Sequence, residues 1–107
     1  MRLLIKLTAI GAVLLLAAAG SAWAQADAKD LYLNKCATCH GPDGAGKTAM
    51  GKKLKIVSAR EAAEKMSAQE MIKVVTDGKG QSMAAYGKQF KPDQIKELVD
   101  YYRSLAK

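Results

Sequence analysis

Residues Cys36-Ala37-Thr38-Cys39-His40 constrain this chain more than any other stretch. They form a C-x-x-C-H run, the sequence of a covalent c-type haem attachment site. Each residue has a part in that chemistry. Two thiols add across the two vinyl groups of one haem, so they must sit a short, fixed distance apart. The imidazole that follows is then held under the iron as its proximal ligand. A chain built on such a run acquires a large, flat, apolar body that stands in for core side chains.

Other readings of the same five residues ask for more than the chain supplies. A structural zinc site takes about four protein ligands, whereas the 2 Cys and 1 His of the whole sequence all lie in this run. A thioredoxin-like dithiol is expected in a βαβ setting, and the sequence shows helical patterning with no convincing strand. A plain Cys36–Cys39 disulfide in an oxidising compartment is the remaining alternative.

The first residues read as an export signal. Arg2 and Lys6 make a basic start, Leu7 to Ala19 is a short apolar run, and Ala22-Trp23-Ala24 supplies an A-x-A cleavage signal. The apolar run is too short for a comfortable membrane span. Cleavage after Ala24 removes 24 of the 107 residues and leaves 83, beginning at Gln25. The expected organisation is therefore a signal peptide over 1–24 and one domain over 25–107, with an uncleaved anchor as the alternative. Export agrees with haem attachment, because bacteria form the thioether bonds outside the cytoplasm.

A domain this short buries a modest core and usually needs a disulfide, metal or cofactor. Of 17 basic side chains, loss of Arg2 and Lys6 leaves 15 against 10 acidic ones, a mature net charge of +5. Only Arg60 and Arg103 among them are arginines. An exported haem-bearing chain without arginine clusters or a recognised binding motif is not a nucleic-acid reader. A docking surface for acidic protein partners is the expected use of the charge; lysines that merely keep the chain soluble are the alternative.

Four helical segments can be read. The first runs from Asp27, as N-cap, into the haem motif, with Ala28, Leu31, Tyr32 and Cys36 on one face. Gly41 to Gly51 is a loop, dense in glycine and lacking the Lys-Ser/Thr of a phosphate loop. Ser58 to Glu61 and Ser67 to Glu70 each match a capping box. They predict a short helix near 59–66 and a longer one near 68–77, the latter ending at Gly78. The last helix starts at Pro92 and runs to about Ala106, with Ile95, Leu98, Val99, Tyr102 and Leu105 as its apolar stripe.

A low-spin haem needs a second axial ligand, and with no other His the common choice is methionine. Met66 and Met71 fall in helical stretches, where methionine usually fills core. Met50, in the glycine-rich loop, and Met83, in the irregular stretch from Gly78 to Phe90, are the contenders, with Met83 preferred.

Taken together, these residues resemble a small class I cytochrome c of the bacterial monohaem type. The resemblance covers essentially all of the mature chain. It matches Leu31-Tyr32 to the aromatic-bearing first helix, Gly41 to Gly51 to the loop after the haem motif, and Gly80-Gln81-Ser82-Met83 to the Met-bearing loop. Leu98-Val99-Asp100-Tyr101 matches the L-x-x-Y element of the last helix. The resemblance implies an all-α fold of about four short helices around one haem, with the terminal helices crossing where Ala28 and Tyr32 lie. It also implies a monomeric periplasmic electron carrier, not an enzyme, with Cys36 and Cys39 tethering the haem and His40 and Met83 holding the iron. Redox proteins with acidic docking surfaces are the implied donors and acceptors. The alternatives are an enzyme or gas-binding haem with a labile sixth position, and a dedicated subunit of an oxidoreductase. Two departures stand out: Ala84 follows Met83 where many members have Pro, and Pro42 is the only proline before Pro92, which leaves the proline carbonyl that many members offer to the proximal His without an assigned counterpart.

Overall fold

The computed structural model describes residues 27–107; the expected leader and its cleavage point lie outside the described residues. The described chain is helical. Residues 27–35 form α1, followed by α2 (Ala37–His40), α3 (Ala49–Lys53), α4 (Ala59–Lys65), α5 (Ala68–Asp77) and α6 (Pro92–Ser104). The one sheet-like feature among them is an isolated bridge between Lys79 and Met83.

The expected first helix is two helices. The backbone breaks at Cys36, with φ −115°, and resumes as α2. Asp27 is already helical and does not cap α1. The expected loop over 41–51 also ends early, because Thr48 opens α3. Its hydroxyl accepts from the Gly51 N–H at 2.9 Å and donates to the Cys39 carbonyl at 2.9 Å. Gly51 looks like a helix breaker in the sequence, yet it sits buried inside α3 for a packing reason. A Cβ there would run into the backbone carbonyls of Gly46 and Cys39.

The two capping boxes differ. At Ser67 both halves form: its hydroxyl accepts from Glu70 N–H, and the Glu70 carboxylate accepts from Ser67 N–H. At Ser58 only the hydroxyl half forms, accepting from Glu61 N–H at 3.2 Å. Glu61 instead pairs with Lys65 one turn on, at 2.6 Å. A cap is worth about 1 kcal/mol, so each Ser fixes where its helix begins. Helix α6 carries Pro92 at its first turn, and its N-cap N–H, on Lys91, donates to the Gln94 side chain at 2.9 Å.

Helix α6 is the centre of the packing. Its Ile95, Leu98 and Val99 are buried, and α4 and α5 lie against it. Tyr32 of α1, 2% exposed, brings the first helix to the last: its ring lies 5.3 Å from Tyr101 and 6.1 Å from Tyr102. Ala28, one turn earlier, is equally buried. Eight apolar residues are buried among those described, and three are alanines. At roughly 1.5–3 kcal/mol for a large buried side chain, that is a thin core, and Val74, Val75 and Phe90 border a cavity beside it.

Candidate haem site

Cys36, Cys39 and His40 lie one helical turn apart, which brings their side chains to one side of the chain. The geometry is fixed by the backbone: the N–H groups of Cys39 and His40 both donate to the Cys36 carbonyl, at 3.2 and 2.9 Å. All three border a cavity of about 520 Å³, within the range of cofactor sites. Val74, Val75, Leu98, Val99 and Phe90 are among its apolar walls.

The thiols are free and half-buried. Burial, and to a lesser degree Cys39, pushes the Cys36 thiol up to about 11. A redox dithiol works through a thiolate of depressed pKa, and the shift at Cys36 runs the opposite way. Burial likewise lowers the pKa of His40, keeping the imidazole neutral, the form that ligates iron. Its ring meets Tyr102 edge-on at 5.3 Å. His40 Nδ1 is buried and has no hydrogen-bond partner among the described residues, and Pro42 is exposed. The proline carbonyl contact expected of related cytochromes is thus not made.

The turn after His40 is held twice. The buried Tyr32 hydroxyl donates to the Gly41 carbonyl at 2.6 Å, and the Gly46 N–H donates to the His40 carbonyl at 2.8 Å. Gly41 has φ +85°, a conformation glycine adopts without steric cost.

Met83 borders the same cavity. Its turn is closed by two hydrogen bonds, Lys79 N–H to Met83 carbonyl at 2.9 Å and Met83 N–H to Lys79 carbonyl at 3.2 Å. Gly78 lies against this turn so closely that a Cβ would meet the Met83 carbonyl at 2.8 Å. The segment is tied at its base to α5, where Tyr86 N–H donates to Val75 carbonyl and Gly87 N–H to Thr76 carbonyl, at 2.9 and 3.0 Å. Backbone pairing therefore does the fixing that a proline after Met83 would do. Met50 is 41% exposed on α3 and does not border the cavity. Met66 and Met71 border it from the core side, and Met71, 5% exposed, receives Arg103 Nη1 on its sulfur at 4.0 Å. Sequence reasoning missed Tyr86 as a wall residue; it falls in no periodic stretch that would have flagged it.

Two thiols and an imidazole on one side of an apolar cavity fit a covalently attached haem. The comparisons agree. Residues 24–101 match the family model described as cytochrome c oxidase, cbb3-type, subunit III. The chain belongs to this family of cytochrome c domains. It is 31% identical over 95 residues to the cbb3-type cytochrome c oxidase subunit FixP of Azorhizobium caulinodans. That match covers 84% of this chain and 30% of the relative, so the chain spans under a third of the relative's length. In structure it is similar to the KustC0563 c-type cytochrome, with a TM-score of 0.69 and 30% identity over 75% of this chain and 98% of the other. Its cofactor is covalently bound haem c. Among the described residues no helix is long and apolar enough to cross a membrane.

Proposed function

We propose that this chain is an exported carrier of single electrons, its iron held between His40 and Met83. The bound haem supplies a ferrous–ferric couple. Cys36 and Cys39 would tether it, and His40 and Met83 would both ligate the iron, which suits electron transfer rather than substrate chemistry. The observation that carries the reading is the sharing of one cavity by Met83 and the C-x-x-C-H motif, while Met50 lies exposed away from it. Met/His ligation raises the reduction potential. The A-x-A leader pattern supports a periplasmic location. The exposed lysines Lys47, Lys52 and Lys53 on one side, with Lys79, Lys88 and Lys91 around the Met83 segment, support docking to acidic redox partners.

Met83→Ala tests the ligand set. The variant should lose its low-spin spectrum, bind carbon monoxide and fall in potential by some tenths of a volt, within the ~0.8 V that axial ligands command. Met50→Ala should do none of these. A low-spin spectrum that survives Met83→Ala overturns the assignment.

A second reading, a dedicated cytochrome subunit of an oxidase, is favoured by the description of the family model and the name of the Azorhizobium relative. Fractionation of the host separates the two. A free carrier is released with the periplasm, whereas a subunit co-migrates with a membrane oxidase on native gels.

A further inference from the structure

The charged side chains that border the cavity are Lys35, Lys55 and Lys79; among the described residues no aspartate, glutamate or arginine does so. Haem carries two carboxylates, on the edge of the macrocycle opposite its vinyl groups. A carboxylate brought against apolar walls needs a cation or hydrogen-bond donors to offset its lost hydration. Lys35 directly precedes Cys36, and the thioether bonds of Cys36 and Cys39 define the vinyl edge, so Lys35 stands at the wrong end. Lys79 is built into the turn that carries Met83 and stays as the rival. Lys55, which belongs to neither the haem motif nor the Met83 turn, is the first candidate.

A second observation singles out the same residue. Lys55 has φ +57° and is the one non-glycine with positive φ among the described residues. It follows Leu54 at the end of α3, where helices commonly place Gly or Asn. A lysine held left-handed costs free energy that glycine would not. Solubility does not explain it, since Lys52 and Lys53 already charge the same helix from exposed positions. We infer that Lys55 is the cation that receives a haem carboxylate, a role separate from that of the outward lysines of α3. Its side chain is exposed, so the pair lies at the mouth of the cavity and adds little to stability. Its influence falls on the redox equilibrium, because a nearby cation favours the less positive ferrous form.

The test uses the haem-loaded protein with Lys55→Gln, Lys55→Arg and Lys55→Gly, with Lys79→Gln for the rival lysine and Lys73→Gln, exposed on α5, as the surface control. Lys55→Gln should move the ferrous–ferric equilibrium about threefold toward ferric, or about 28 mV at 59 mV per tenfold for one electron. It should also shift the carboxylate bending band of the haem in resonance Raman spectra. Lys55→Arg should keep the wild-type potential and band. Lys55→Gly should melt higher than wild type, the strain being relieved, yet show the potential of Lys55→Gln. The assignment is overturned if Lys55→Gln coincides with Lys73→Gln in band and potential, if Lys79→Gln rather than Lys55→Gln shifts the band, or if Lys55→Arg behaves like Lys55→Gln. The inference rests on covalent haem attachment and not on the axial pair, whose failure would show separately as a changed low-spin spectrum in the wild type.

Discussion

Replacing Tyr32 by Phe removes one oxygen and leaves the ring. Tyr32 is 2% exposed, and its hydroxyl donates to the carbonyl of Gly41, the residue after His40, at 2.6 Å. The ring contacts with Tyr101 and Tyr102 survive the change, so no cavity term of the large-to-small kind arises. What is lost is one of two hydrogen bonds to a carbonyl that the Gly44 N–H still serves at 3.1 Å, a net loss of about 0.5–1.5 kcal/mol. That corresponds to roughly 2–12 °C in Tm for a domain of this size. Thermal unfolding of the haem-loaded protein, followed by circular dichroism, measures it, with Tyr101→Phe as the control for a half-buried neighbour. The pH dependence adds a second handle. Burial raises the Tyr32 pKa above its ordinary 10.0, so the folded state holds the phenol proton more tightly than the unfolded state. Stability from this group is complete below pH 10 and is lost as pH rises beyond it; Tyr32→Phe should flatten that alkaline decline. If Tyr32→Phe melts within about 1 °C of wild type and declines as steeply in alkali, the hydroxyl does not hold the turn that carries His40.

Three further outcomes follow from the same geometry. Cys36→Ala with Cys39→Ala should leave a chain without a sharp thermal transition, since the thin core depends on the tethered haem; native helix content in haem-free protein would refute this. Gly51→Ala should cost at least the 1–3 kcal/mol of an overpacked site, because its Cβ meets two backbone carbonyls that cannot swing aside; denaturant titration reads the loss directly. Changing Lys47, Lys52 and Lys53 together to Gln should slow association with an acidic redox partner and flatten its salt dependence, which stopped-flow kinetics at several ionic strengths would measure.

Much of the frame was legible because it is written in local chemistry. The haem motif, Ser58, Ser67, Gly78 and Pro92 each act within a turn or two of themselves, and α4, α5 and the start of α6 lie where those residues put them. The errors have tertiary causes. Gly51 reads as loop because its helix tolerates it only through the close approach of Gly46 and Cys39. The break at Cys36 answers to the geometry of the motif and not to any breaker residue. Glu61 matched a capping box and chose Lys65 instead, a competition that spacing alone does not decide. At the site, Met83 could be preferred over Met50 on loop position, but the bridge that steadies it without a proline was not visible. The left-handed backbone of Lys55 was not visible either, since it is a property of where α3 has to stop.

The paired hydrogen bonds of Tyr86 and Gly87 to the end of α5 give the Met83 segment a neck. A loop pinched shut at its base settles its closure entropy there, and surface loops of this kind tolerate drift better than the elements they join. Residues 79–85 can therefore change in length, charge or choice of donor atom while α5 and α6 continue to pack as they do. On the proposed Met83 ligation, the neck makes redox tuning of this chain a modular trait, adjustable in one short stretch without renegotiating the fold.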